Sequence, residues 1–191
     1  MKLNCLSPLF NFPFRLNRFD PIHHISGINK FDVSNAALHW VKDHEKLLQN
    51  CYRALKAGGV IRFNFAGDGN CSNFIEIIHD VMNYPHYKVY FNNFVWPWFM
   101  PRISEYERLL NQQKFKELRC WEENADRNFR TKDEIVKWID QPSIVPFLEV
   151  LPKEKQPGFR DEVVNRMVYK TKNSDGTYFE TFRRINVFAR K

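Results

Sequence analysis

Glycine is scarce in this sequence, with 7 among 191 residues. Loops that cradle a phosphate or a nucleotide need glycine where the backbone closes on the ligand, so there is little room here for such loops. Cysteines are also few: Cys5, Cys51, Cys71 and Cys120 form no C-x-x-C pair and stand near no paired histidines. That spacing argues against zinc and against a disulfide framework, and it predicts reduced thiols in a cytoplasmic protein. His23 and His24 are adjacent, too close for a dependable metal site. No apolar run approaches the ~18 residues of a membrane span. The opening MKLNCLSPLFNFPF lacks both the continuous apolar stretch and the small-residue cleavage site of a signal peptide. P-loop, nucleophile-elbow and metal-ligand spacings are missing as well, and Asp68 and Asp161 have no partner pattern for paired-carboxylate hydrolysis.

Positive charge is present but not concentrated. The formal net charge is +7, and Lys2, Arg15, Arg18 and Lys30 against Asp20 place +3 of it in the first 30 residues, leaving +4 for the rest. With no basic cluster, nucleic acid is not an expected partner, whereas small anionic substrates are compatible with the charge. Aromatic rings are what the chain has in excess: 16% of residues, including 18 Phe and 5 Trp. They imply a thick aromatic core or a pocket lined with rings. The length suits one domain with a proper core.

Residues 1–30 read as an irregular arm, with three prolines in SPLFNFPFRLNRFDPIHHISGINK and neither helical nor strand period. Regular signals begin at Phe31. FDV is a strand end. Asp43 can cap a helix that has Glu45 in its first turn and Leu47, Leu48, Cys51, Tyr52 and Leu55 at helical spacing. Gly58 and Gly59 stop it, and VIRFNF follows as a strand. NFIEIIHDVMN predicts a helix with Phe74, Ile77, Ile78, Val81 and Met82 inward. YPHYKVYFNNFVWPWFMPR is an aromatic, proline-broken connector; ISEYERLLNQQ is a helix and FKELRCWEEN a strand. Thr131 with Glu134 three residues on is a capping box for TKDEIVKWIDQ. SIVPFLEVL and FRDEVVNRMVYK predict further helices, SDG a turn, and YFETFRRINVFARK one long final strand. Strands alternating with helices predict an α/β fold with a mostly parallel sheet. The final strand fits as an antiparallel edge.

The stretch FDVSNAALHWVKDHEKLLQNCYRALKAGGVIRFNF resembles the central part of class I S-adenosylmethionine-dependent methyltransferases. The pairing of SNAALHW with LKAGG is closest to the trans-aconitate methyltransferase-like branch, which methylates carboxylates of small acids. FRTKDEIVKWIDQPSIVPFLEVLP and FRRINVFARK are similar to later segments of that branch. The resemblance covers about Phe31 to Lys191 and implies a partial Rossmann-like methyltransferase sheet with a helical cap. In the family a first βαβ unit precedes this stretch and supplies a Gly-rich turn of the E/D-x-G-x-G-x-G type, with acids for the ribose hydroxyls and near the adenine. Residues 1–30 hold only Gly27 and no strand-glycine-helix pattern. Residues 31–191 thus read as the C-terminal part of the domain, with the arm replacing, or left over from, an N-terminal half. Each charge-assisted hydrogen bond to ribose is worth on the order of 1.5–3 kcal/mol, and every 1.4 kcal/mol is about tenfold in affinity. S-adenosylmethionine is therefore expected to bind this chain alone weakly or not at all. Three readings follow: an enzyme completed by the arm or by a second chain, a non-catalytic partner docked through an open sheet edge as a homo- or hetero-oligomer, or a truncated product.

By resemblance the turn Ser34, Asn35, Ala36 and Trp40 borders the cofactor's methionine part; the alternative is an ordinary strand-to-helix turn with Trp40 in the core. His39, as the catalytic candidate, either orients a substrate carboxylate or is a hydrogen-bonded turn histidine. A carboxylate is already ionised near pH 7, so orientation is favoured over proton transfer. Trp96, Trp98, Phe99, Arg102 and Tyr106 read either as a lid over the acceptor, with Arg102 gripping a carboxylate as a two-toothed donor, or as a plug for the sheet end. Arg183 and Arg184 read as an exposed charged edge rather than an acid-binding pair.

Overall fold

The computed structural model describes residues 29–141 and 143–191. The expectations placed on the arm, on His23–His24, on Gly27 and on Cys5 fall outside these residues. Strand β1 (Asn29–Asn35) leads through a 3-10 turn at Leu38–Trp40 to helix α1 (His44–Ala54). Strand β2 (Leu55–Ala66) and helix α2 (Ser72–Met82) follow. The aromatic connector holds the short helix α3 (Pro85–Lys88) and a 3-10 turn at Val89–Phe91 before α4 (Ile103–Asn111). Then come β3 (Lys116–Asn124), β4 (Arg127–Phe129), α5 (Lys132–Ile139), α6 (Val145–Leu148) and α7 (Gln156–Thr171). The chain closes with β5 (Tyr178–Glu180) and β6 (Arg183–Arg190).

Local chemistry sets the helix starts. The Asp43 carboxylate accepts from the Lys46 N–H at 2.9 Å, capping α1. Thr131 Oγ1 accepts from the Glu134 N–H at 3.2 Å, while the Glu134 carboxylate reaches one residue further back, to the Arg130 N–H at 2.8 Å. Helix α2 opens on Cys71, in the left-handed region at φ +52, with no side-chain cap of its own. Its free N–H groups are met from β5 instead, where the fully buried Glu180 accepts from the Asn73 N–H at 3.2 Å and the Phe74 N–H at 2.9 Å. Helix α1 ends one residue earlier than its apolar spacing predicts, because Leu55 already pairs with Asn29 as the start of β2. Gly58, at φ +75, then carries the bulge that separates Leu55 from Val60 in that pairing.

The main sheet has the order β1-β2-β6-β3. Strands β1 and β2 are parallel, and β6 is antiparallel to both of its neighbours, so β1, β2 and β3 all run the same way. The α/β architecture with a mostly parallel sheet is as the sequence predicts, but the C-terminal strand is not an edge. It is inserted between β2 and β3, which is why Ile185, Val187, Ala189 and even Asn186 are buried. Nor is the last segment one strand. It breaks at Thr181–Phe182, and β5 pairs with β4 in a separate two-stranded sheet. The break is tied on three sides: Cys71, Ala125 and Gly67 donate their N–H groups to the carbonyls of Thr181, Phe182 and Arg183 at 2.8, 2.7 and 3.0 Å.

Two apolar cores result. Ile61, Phe63, Phe65, Val187 and Ala189 on one sheet face pack with Leu48 of α1 and with Tyr106 and Leu110 of α4. The register puts Arg62, Asn64 and Asn186 on the opposite face, where Arg62 lies 4.4 Å over the Trp121 ring and Asn64 donates to Asn186 at 3.0 Å. Phe31 and Val33 share that face and are 69% and 72% exposed. The second core belongs to the helical cap, where Phe74, Ile78 and Val81 of α2 meet Trp138, Phe147, Phe159, Val163 and Met167.

Candidate functional site at the carboxyl ends of the strands

The parallel strands β1, β2 and β3 end together, and open α/β sheets bind ligands in the crevice outside those ends. At β1, Ser34 and Asn35 pair with Phe63 and Asn64, and the Ala36 N–H donates to the Asn64 carbonyl at 2.7 Å. Ala36 has φ +56, a left-handed turn that stops the strand and leaves Asn35, Ala36 and Ala37 exposed. The chain then runs through His39 and Trp40 toward the aromatic connector.

The two stretches singled out in the sequence meet here. The Phe99 N–H donates to the His39 carbonyl at 2.7 Å. Trp40 stands edge-on to Trp98 with centroids 5.6 Å apart, and Trp96 stands edge-on to Trp98 at 5.4 Å. Lys42 fastens the connector by donating its Nζ to the carbonyls of Trp98, at 3.0 Å, and of Trp96. His79 stacks on Trp96 at 4.5 Å, which adds α2 to the assembly.

Beneath this layer lies a buried pair. His44 Nε2 is 3.0 Å from the Leu38 carbonyl, which can only accept, so Nε2 carries a proton. Burial lowers the pKa of His44, so the ring is neutral and its Nδ1 accepts from the Tyr106 hydroxyl at 3.0 Å. Tyr106 is fully buried and its own pKa is raised, chiefly by burial. This corrects the sequence expectation: Tyr106 faces His44, Phe65 and the core rather than an acceptor, because helical spacing from Leu110 turns it inward.

His39 is different. Its Nδ1 is buried without a hydrogen-bond partner, and so is the Nε1 of Trp98, a residue only 7% exposed. Burial first, then the charge of Arg184 and the His44 ring, lower the His39 pKa from 6.5 to about 4. The imidazole is neutral near pH 7, able to donate or accept but a weak base.

The three arginines differ in their surroundings. Arg102, at the start of α4, is exposed and pairs with Asp68 at 3.5 Å. Arg183 pairs with Asp126. Arg184, read from the sequence as an exposed edge charge, is half-buried in an interior strand, in register between Ala66 and Glu123. The alternation in RRINVF does put Arg184 on the face opposite Ile185 and Val187, but only the pairing on both sides of β6 encloses it. Cys51, Cys71 and Cys120 are free thiols, each pushed up to about 12 chiefly by burial, which leaves them without thiolate chemistry. Among the described residues no cluster of His, Cys, Asp or Glu could hold a metal ion, and no helix is long and apolar enough to cross a membrane.

Residues 8–63 match a protein family described as Methyltransferase domain, a match that starts inside the arm and runs through β1 and α1 into β2. A trans-aconitate 2-methyltransferase of Mycolicibacterium gilvum is 26% identical over 163 residues, 83% of this chain and 62% of that protein. A malonyl-[acyl-carrier protein] O-methyltransferase of Calditerrivibrio nitroreducens is 37% identical over 71 residues, 36% of this chain and 29% of that one. The solved structure of a loganic acid methyltransferase with S-adenosylhomocysteine shares the fold at a TM-score of 0.61 and 10% identity, over 88% of this chain and 63% of that one. A second trans-aconitate 2-methyltransferase, of Delftia acidovorans, is similar at 25% identity over 83% of this chain and 62% of that protein. The chain thus shares its fold with the loganic acid methyltransferase structure and is similar in sequence to methyltransferases. The chain spans 62% of the length of the trans-aconitate 2-methyltransferase it matches.

Proposed function

We propose that this chain carries the acceptor side of a methyltransferase that acts on a carboxylate oxygen of a small acid. The observation that carries the reading is the meeting of His39 and Trp40 with Trp98 and Phe99 over the carboxyl ends of the strands. The turn at Ser34–Ala37 suits the methionine end of S-adenosylmethionine: its side chains are small, it is exposed, and it offers the amide of Asn35 and backbone groups to an ammonium and a carboxylate. The described residues supply no glycine-rich turn for the adenosine end. When bound, S-adenosylmethionine supplies an electrophilic methyl group on a sulfonium.

The remaining work falls to this chain's residues. A carboxylate acceptor is already ionised near pH 7, so no proton has to be removed, and a neutral His39 matches that need. His39 orients the acceptor through a hydrogen bond. The tryptophan layer excludes water, which strengthens that bond. Calorimetric titration with S-adenosylmethionine and S-adenosylhomocysteine, followed by transfer of labelled methyl to di- and tricarboxylic acids, tests the reading. Micromolar binding and a labelled ester support it. Absence of heat up to millimolar ligand from a folded sample defeats it.

One feature favours a second reading, association with another chain. Phe31 and Val33 are exposed at 69% and 72% on β1, a strand paired on one side only among the described residues. Light scattering coupled to gel filtration would reveal such a complex, and a clean monomer at high concentration would remove it.

A further inference from the structure

We infer that Arg184 is the anion-binding residue of this site, gripping a carboxylate in the crevice beside His39 and Trp98. The inference rests on the reading above for the identity of the acceptor, but the binding itself does not require methyl transfer.

Arg184 lies where a ligand is expected. Its neighbours in register are Ala66, the last residue of β2, and Glu123, next to the last of β3. Both mark the carboxyl ends of parallel strands. Ala66 is small and fully buried. Glu123 is engaged by Asn186, which donates to it at 2.9 Å.

Arg184 also has no protein partner for its charge. Among the described residues it makes no hydrogen bond and no ion pair, and its one close contact is the Phe182 ring, 5.5 Å from the guanidinium carbon. Two neighbouring arginines do have a carboxylate: Arg183 has Asp126 and Arg102 has Asp68. A half-buried guanidinium offers five N–H donors in a planar fork, and those not met by the protein are open to a ligand. Burial already lowers its pKa, with only Cys71 and Glu123 opposing.

Two further polar atoms in the same region lack partners. They are His39 Nδ1, on a ring that feels the charge of Arg184, and Trp98 Nε1, on a side chain more than nine-tenths buried. An indole N–H can only donate, and a neutral imidazole can. A planar oxyanion is the chemical class of ligand that all three groups can meet as donors. A carboxylate fits the fork with two parallel hydrogen bonds.

That carboxylate has two possible sources, the acceptor acid and the amino-acid end of the cofactor, and the inference commits to the acceptor. The test is direct titration of citrate, without cofactor, read by tryptophan fluorescence, with the neutral trimethyl ester of citrate as the uncharged comparison. The wild-type chain should bind citrate and not the ester. Arg184→Gln should weaken citrate at least tenfold, and Arg184→Lys less. Arg190→Gln, at the far end of β6 and paired with Glu117, should leave it unchanged. Circular dichroism verifies that each variant is folded, and the lysine variant preserves the test if the glutamine variant is not. Equal citrate affinity in wild type and a folded Arg184 variant overturns the inference. So does a loss confined to S-adenosylmethionine binding. Citrate binding that depends on Arg184 in a chain that transfers no methyl group would leave the anion site standing and remove the methyltransferase reading. Methyl transfer with an unchanged KM for the acid in Arg184→Gln would do the reverse.

Discussion

Removing the Glu180 carboxylate should be among the most damaging single changes in this chain. The residue has no accessible surface, and its two oxygens accept from the N–H groups of Thr181 at 2.7 Å, Phe74 at 2.9 Å and Asn73 at 3.2 Å. The Asn73 side-chain amide adds a fourth contact at 3.2 Å. A hydrogen bond to a charged group contributes about 1.5–3 kcal/mol, and loss of a helix cap alone costs about 0.5–2 kcal/mol. The contacts share one acceptor and do not add fully, so Glu180→Ala should lose about 3–5 kcal/mol, as for one member of a buried charged set. Glu180→Gln retains one acceptor oxygen but points an NH2 at backbone donors, and should lose about half as much. Against a typical total of about 5–15 kcal/mol, the alanine variant would be marginally folded at room temperature. Urea unfolding followed by tryptophan fluorescence measures both changes, with Trp138 and Trp98 reporting from the cap. An alanine variant within about 0.5 kcal/mol of wild type, or one more stable than the glutamine variant, would refute the reasoning.

Other outcomes follow from the same geometry. Because His39 falls from 6.5 to about 4 on folding, the unfolded chain takes up its proton first as pH drops. The stability this ring contributes is fully present above about pH 6.5 and declines toward pH 4 by about 3 kcal/mol; urea midpoints across that range should show the slope, reduced in His39→Gln, and a flat profile would contradict it. A Cβ on Gly67 would lie 2.8 Å from Ile185 Cγ1, so Gly67→Ala should cost about 1–3 kcal/mol, measured by thermal unfolding. Cys51, Cys71 and Cys120, with thiols raised to about 12, should resist alkylation at pH 8 in the folded chain and react once it is unfolded in urea, as read by peptide mass mapping. Asp43→Ala should lower stability by about 1 kcal/mol through α1, and an unchanged melting temperature would count against the cap.

What the sequence made legible was local. Asp43 and Thr131 cap their helices within three residues, and the apolar positions of α2 face the core at the spacing that predicts them. Alternation revealed the polar and apolar faces of the last strand. It could not show that β6 lies between β2 and β3, because pairing partners tens of positions away leave no mark on a two-residue period. The break at Thr181–Phe182 was hidden for a related reason. Both residues suit a strand, and the interruption comes from Cys71, Ala125 and Asp126 bonding to their backbone. Arg102 and Arg184 were not separable by charge or spacing. Only the loop that carries Asp68 and the burial of β6 distinguish a solvated arginine from one with no protein partner for its charge. Tyr106 was read, from its place in the aromatic connector, either as part of a lid over the acceptor or as part of a plug for the sheet end, and α4 turns it to His44.

The junction between β5 and β6 makes the cap and the sheet a single mechanical unit. Glu180 holds the start of α2 and Arg184 stands in the crevice, and the few residues between them are fixed to two separate loops, β2–α2 and β3–β4, through the carbonyls of Thr181, Phe182 and Arg183. Peeling β5 from β4 would withdraw the carboxylate from the helix and shift the guanidinium in the same event. Amide deuteration at Phe74, in the cap, and at Gly67, at the sheet end, should therefore proceed through one shared opening, with matching protection and matching sensitivity to denaturant.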